Sequence, residues 1–237
     1  MLKVDGVDVY IQASHILRRV SLDVGAREVV CLVGRNGAGK TTTLRTVMGY
    51  LAPRAGSVEF KGEPIHGRRT FEIARLGVGW SPEDSGIFPD LTVAENIEIS
   101  TWTRPGGRPA RERIAEAYRV FPALRRYAAR KGPEMSGGER KMLSIARALA
   151  LDPEMLLLDE PFEGLSPTII PAVSAGIAEI TILGRSILMA ESNIHHVPEF
   201  VTRLYVIERG EIIYAGPLAG VHSDAAVLRV IGGTTHG

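Results

Sequence analysis

The sequence predicts an α/β fold: a mostly parallel sheet with flanking helices, an antiparallel β subdomain at the N-terminus and an α-helical lobe inserted into the core. Three observations predict it. Leu2/Val4, Val7/Val9 and Val20/Leu22/Val24 alternate with polar neighbours, the period of strands with one face buried. The apolar runs Val29–Val33, Met155–Leu158 and Ser186–Ala190 read instead as core strands, the first of them buried on both faces. Helical patterns separate these runs, at about 94–130, Gly137–Ala150 and 168–182.

Each element follows in order. Gly25 turns the N-terminal β region into the run that ends at Val33. Val58 and Phe60 mark a short strand before a turn at Lys61-Gly62. Over 94–130, Ile114, Tyr118 and Phe121 fall on one helical face with charges opposite, and Arg104-Pro105-Gly106-Gly107 forms a loop. Residues 85–135 are read as the inserted helical lobe. The core resumes with the helix Gly137–Ala150, a turn at Asp152-Pro153, the strand from Met155, a helix near 168–182 and the strand from Ser186. Tyr205-Val206-Ile207 and Ile212-Ile213-Tyr214 flank Arg209-Gly210 as a hairpin would. A tail, 217–237, adds a short helix, and 1–237 is read as a single domain.

Composition narrows the function. The 237 residues are 45% hydrophobic and 23% charged, the mix of a soluble globular chain that builds its core without disulfides or structural metal. Lys and Arg number 28 against 27 Asp and Glu, with no basic block, so no nucleic-acid partner is expected. The one cysteine, Cys31, cannot form an internal disulfide; it fits a reducing compartment and reads as a small core residue. No stretch approaches the ~20 apolar residues of a membrane span, and Met1–Asp5 is strand-like rather than part of a signal peptide. The chain is therefore not expected to form a membrane pore by itself.

The strand ending at Val33 runs into Gly34-Arg35-Asn36-Gly37-Ala38-Gly39-Lys40-Thr41, a complete G-x-x-x-x-G-K-[ST] match between strand and helix. Its glycines let consecutive main-chain N–H groups curl around an anion, and the following helix, with Thr42 in its first turn, points its positive end at the same place. Lys40 is expected to reach the β- and γ-phosphates of a nucleoside triphosphate, and Thr41 to offer its hydroxyl to Mg²⁺. The strand Met155–Leu158 ends in Asp159-Glu160. Asp159 is expected to serve the Mg²⁺ shell and Glu160 to polarise the attacking water.

Met135-Ser136-Gly137-Gly138-Glu139 opens the next helix, and Ser136 with Glu139 forms a capping box. Two glycines inside a helix start cost about 1 kcal/mol each relative to alanine, more than a cap alone requires. Bare backbone there is what a second phosphate contact needs.

This segment resembles the signature motif of ABC ATPases, and its interval to Asp159 is the one that family shows. The likeness runs from the N-terminal β region to the hairpin at Gly210. It implies a P-loop NTPase core that binds ATP and Mg²⁺ and hydrolyses ATP to drive solute transport. It also implies that Ser136, Gly137 and Gly138 act on the nucleotide of a second ATPase subunit, in a homo- or heterodimer serving two transmembrane permease subunits. Glu139, Ser81-Pro82-Glu83, Asp159–Pro167 and Ile87–Asn96 resemble the second, shorter ATPase of branched-chain amino acid uptake systems. That branch implies a place on the cytoplasmic face of the inner membrane and, indirectly, a periplasmic solute-binding protein. Importers of urea, short amides and other amino acids share these features.

The sequence departs from the family at several places. Ser192 stands where a histidine contacts the γ-phosphate, with His195 and His196 just beyond. Glu83 replaces a glutamine that links metal to permease, and a carboxylate there can still bind Mg²⁺. Ser166 replaces an aspartate. For adenine stacking, alignment places Ile11 at the usual position; Tyr10 stacks if the strand shifts by one residue, and otherwise faces the core. These departures leave ATP binding intact and bear on the hydrolysis rate, so a weakly hydrolysing partner subunit stands as one rival reading. A non-transporting ABC ATPase and a P-loop kinase or GTPase are others; the chain lacks the second cassette or long coiled coil of the former and a guanine motif for the latter.

Overall fold

The computed structural model describes residues 1–104, 107–223 and 227–228. In chain order they form strands β1 (Leu2–Ile11), β2 (Ser14–Val24) and β3 (Val29–Val33), helix α1 (Lys40–Val47), strands β4 (Ala55–Phe60) and β5 (Glu63–Pro64), helix α2 (Thr70–Leu76), strand β6 (Val78–Ser81), helices α3 (Val93–Ser100), α4 (Ala110–Val120), α5 (Ala123–Arg126) and α6 (Gly137–Ala150), strand β7 (Met155–Asp159), helix α7 (Ile170–Ile182), and strands β8 (Ser186–Glu191), β9 (Arg203–Glu208) and β10 (Glu211–Gly216). The expected α/β class holds, with one antiparallel sheet and one mostly parallel. The chain divides into two compact units, Met1–Thr70 with Ser186–Gly237, and Phe71–Arg185.

The first unit holds the antiparallel sheet, in the order β2-β1-β4-β5, and the run β10-β9-β3-β8. All five residues of β3 are buried, as an unbroken apolar run demands of a strand covered on both faces. Its neighbours β8 and β9 run parallel to it, with Cys31 opposite Met189 on one side and Leu204 on the other. Cys31 is thus a core residue, wholly buried. The β9–β10 hairpin turns on Arg209 and Gly210 at φ 49° and 83°, the pair of positive values a two-residue type I′ turn needs. The tail begins with a 3-10 helix, Leu218–Ser223; the rest of that expectation lies largely outside the described residues, as do Pro105 and Gly106 of the expected loop.

The second unit pairs β6 and β7 in parallel, Val78 opposite Met155 and Ser81 opposite Leu158. Helix α6 is its core helix, buried along most of its length from Gly138 to Ala150. Helix α3 starts with a capping box: Thr92 Oγ1 accepts from the Glu95 amide at 3.2 Å, and Glu95 Oε2 accepts from the Thr92 amide at 2.7 Å. Thr92-Val93-Ala94-Glu95 carries the Thr-x-x-Glu pattern of such a box.

Helix α4 corrects that reading. Its buried face is Arg113, Glu116, Ala117 and Val120, whereas Ile114 and Tyr118 are half-exposed. The predicted apolar stripe is rotated because the helix turns charges inward. Arg108 donates to both Glu116 carboxylate oxygens at 2.8 and 2.6 Å and to Asp152 Oδ1 at 2.9 and 3.0 Å, while Arg185 reaches Asp152 Oδ1 at 3.0 Å. A periodicity search for apolar residues does not see a buried face that includes Arg113 and Glu116.

Gly176, in the middle of α7, admits Phe121: a Cβ there would lie 2.2 Å from Phe121 Cε1. In an exposed helix, alanine gains about 1 kcal/mol over glycine, but overpacking a core costs about 1–3 kcal/mol. Gly176→Ala is therefore expected to lower stability by up to about 2 kcal/mol. A urea transition moved to a higher midpoint would contradict it.

Candidate nucleotide-binding site

The glycine-rich loop leaves β3 at Gly34, whose amide donates to the Glu191 carbonyl at 3.1 Å. A Cβ at Gly34 would sit 2.3 Å from the Ile207 carbonyl oxygen, so only glycine fits. Gly37 and Gly39 take φ 80° and 115°, and the Ala38 amide closes a turn onto the Arg35 carbonyl at 3.0 Å. Asn36 lies at the loop's tip, and Gly39 caps α1 with no side-chain hydrogen bond. Lys40, 4% exposed, donates from Nζ to the Gly34 and Arg35 carbonyls at 2.7 and 3.2 Å, which holds the ammonium against the loop. Thr43 and Thr46 hydroxyls bond back to the Gly39 and Thr42 carbonyls, while Thr41 and Thr42 are half-exposed.

Strand β7 carries Asp159 at its last position, with Glu160 next; they are 1% and 3% exposed. Glu160 has φ 47°, a left-handed conformation uncommon for a residue with a side chain and found at functional turns. Ser136 caps α6, its Oγ accepting from the Glu139 amide at 3.3 Å and Glu139 accepting in return from the Ser136 amide at 2.7 Å. The two glycines after it differ. A Cβ at Gly138 would lie 2.5 Å from Ile169 Cγ2, so packing alone accounts for it. A Cβ at Gly137 would come no nearer than 4.0 Å to Arg140 Nη2, and the residue is exposed. Among the described residues, nothing crowds a side chain at that position.

The remaining candidates are placed as follows. Glu83 is exposed in the loop after β6. Ser192 is half-buried just past β8, and Asn193 accepts from the His195 amide at 2.9 Å to start a 3-10 turn. His195 is exposed; His196 Nδ1 turns to the buried Glu191 carboxylate at 3.7 Å. Tyr10 does not face the core: its ring stacks on His15 at 4.2 Å between centroids, with the Arg54 guanidinium at 5.0 Å, and His15 Nε2 meets Asp8 Oδ1 at 2.7 Å. Ile11, the last residue of β1, is 42% exposed.

Sequence reasoning missed Lys141, buried on α6 at helical spacing from Gly138 and Ile145. A lysine inside an otherwise buried stripe is the signal that could have found it.

Strand, lysine-tipped glycine loop and helix, with a buried Asp-Glu pair ending another strand, define the class: a P-loop nucleotide-binding protein. Residues 17–163 match the family described as ABC transporter, and the chain belongs to that family. It is an ATP hydrolase of the kind coupled to transport. Among its relatives, the high-affinity branched-chain amino acid transport ATP-binding protein BraG of Pseudomonas aeruginosa is 36% identical over 90% of this chain and 91% of its own. The lipopolysaccharide export system ATP-binding protein LptB of Acidithiobacillus ferridurans is 33% identical over 91% and 89%. The ADP conformation of MJ1267, an ATP-binding cassette of an ABC transporter, superimposes with a TM-score of 0.85 at 27% identity over 98% of each chain. Among the described residues, no helix is long and apolar enough to cross a membrane.

Proposed function

We propose that this chain is an ATPase subunit of an importer for branched-chain or related amino acids. It works in a dimer with a second ABC ATPase subunit, bound peripherally to two transmembrane permease subunits on the cytoplasmic face of the inner membrane. A periplasmic solute-binding protein delivers the solute. Lys40 and the main-chain amides from Gly34 to Thr42 bind the ATP phosphates. The Thr41 hydroxyl and Asp159 carboxylate, hard oxygen donors of the kind Mg²⁺ prefers, hold the metal, with Glu83 as a further donor. Bound there, Mg²⁺ neutralises phosphate charge. Glu160 takes the proton of the attacking water, and Ser192 contacts the γ-phosphate. Ser136, Gly137 and Gly138 complete the site of the second subunit, and the open surroundings of Gly137 are the observation that most supports this. The lobe at 85–135, with the loop at Glu83, receives the permease.

The likeness to BraG along almost the whole chain supports the amino acid substrate. The likeness to LptB at nearly equal identity supports a second reading, an ATPase of lipopolysaccharide export. Co-expression with the permease subunits that co-purify with the chain, followed by uptake of labelled leucine, separates them. Leucine uptake that disappears with Lys40→Ala is the expected result; co-purifying permeases that carry no leucine, isoleucine or valine would refute the substrate.

A further inference from the structure

Helix α6 does more than present Ser136. Lys141, one turn beyond Gly137, is 4% exposed, and its Nζ donates to main-chain carbonyls from two segments: Glu83 at 2.8 Å and Pro82 at 3.3 Å in the loop after β6, and Asp159 at 3.4 Å at the end of β7. An ammonium has three N–H donors, and three carbonyl oxygens stand around this one. The same helix is tied to this segment at two further points, the end of β6 and the loop itself. Ser144 Oγ and Ser81 Oγ are 2.8 Å apart, and Arg147 donates to the Gly86 carbonyl with its guanidinium 4.6 Å from the Phe88 ring centroid. Within the loop, Ser85 and Gly86 both have positive φ, 67° and 50°, so its path is not that of a relaxed turn.

Burying an ammonium costs several kcal/mol unless its donors are satisfied, and an apolar side chain would pack this helix stripe more cheaply. A lysine at this position is therefore explained by what its charge and reach organise. From this geometry we propose that Lys141 is a positioning residue for ATP hydrolysis. It locks the Glu83 loop and the Asp159-Glu160 strand end to the signature helix, so that a change at the start of α6 moves both sets of acidic groups together. Its positive charge also stands beside the segment where a carboxylate, Glu83, follows Pro82. The inference rests on the proposed ATPase role of Asp159 and Glu160.

The test compares Lys141→Met and Lys141→Arg with the unaltered full chain. Phosphate release, affinity for a fluorescent ATP analogue, and hydrogen exchange of the peptide spanning 82–92 are measured. Lys141→Met is expected to lower kcat about tenfold with KM for ATP within about twofold, the pattern of lost transition-state alignment rather than lost binding. Exchange in 82–92 should speed up, and Lys141→Arg should restore part of kcat and of the protection. If Lys141→Met folds, protects 82–92 as the unaltered chain does and turns over at the same kcat, the proposal is overturned. A fall in melting temperature with kcat unchanged also overturns it. Should Lys141→Met fail to fold, Lys141→Arg decides alone: full kcat and unchanged loop protection in spite of the bulkier, differently aimed head refute a positioning role, and a kcat loss at constant KM supports it. Failure of the unaltered chain itself to release phosphate would instead sink the ATPase reading on which this one rests.

Discussion

Glu160→Gln is expected to keep ATP binding and to lose at least about a hundredfold in phosphate release, the lower end of what a positioned general base contributes. The side chain is 3% exposed and sits one residue past Asp159, in a left-handed backbone conformation. Glutamine has the same length and adopts the same backbone, so the substitution removes the proton acceptor and little else. The measurement is single-turnover phosphate release beside equilibrium binding of a fluorescent ATP analogue. Two further expectations give the result its meaning. ATP should drive the Gln variant into a longer-lived dimer, because closure no longer ends in cleavage. Lys40→Ala should lose binding itself. A Gln variant that turns over within a few-fold of the unaltered chain would remove Glu160 from the mechanism and leave a nucleotide-binding subunit whose base lies elsewhere.

The parts of this site legible in the sequence are those whose chemistry is local. The loop from Gly34 to Thr41 is fixed by φ values and amide directions within a few residues, so its motif can be read without knowing the fold. The capping box of Ser136 and Glu139 is likewise a three-residue interaction, and the strand ending at Asp159 announces itself by five consecutive buried positions. Even the orientation of Tyr10 was within reach. Val7, Val9 and Ile11 share one parity, so a neighbour between Val9 and Ile11 belongs to the other face. The ring lies on the outer side, held by His15 and Arg54.

What stayed hidden depends on partners far apart in the chain. Lys141 bonds across 58 positions to Glu83, and Arg108 across 44 to Asp152. Neither pairing leaves a local pattern. Charged residues at helical spacing read as a solvated face, and the rotation of α4 followed from that rule applied where tertiary pairing overrides it. Gly137 and Gly138 show the converse: indistinguishable in sequence, they separate into a glycine demanded by Ile169 and one that no described residue crowds.

The Arg108 cluster carries the largest expected effect on stability. Asp152 and Glu116 side chains are 10% and 9% exposed, Arg185 is 17% exposed, and Arg108 bridges both carboxylates. Burial by itself raises both carboxyl groups; the hydrogen bonds and charge of Arg108, with the charge of Arg185, outweigh it and hold Glu116 and Asp152 below the ordinary carboxylate range. Asp152→Asn removes the charge and turns one of its two accepting oxygens into an N–H donor. Its φ of 62° lies in the left-handed region that asparagine tolerates as well as aspartate does, so the backbone need not move. Two arginines then face one carboxylate in a poorly hydrated place, and removing one partner of a buried pair costs about 3–5 kcal/mol. Arg108 is itself 38% exposed, which places the expected loss near the lower figure, about 3 kcal/mol in urea unfolding at neutral pH. The pH dependence has a definite sign. A carboxylate with a depressed folded pKa stabilises above its unfolded value, and that stability is lost as pH falls through the folded one. The gap between the unaltered chain and Asp152→Asn should therefore be full at neutral pH and close as the pH drops below about 4. A loss under about 1 kcal/mol, or a gap independent of pH, would mean that water screens the cluster as it screens a surface pair, and that α4 owes its orientation to Ala117 and Val120 instead.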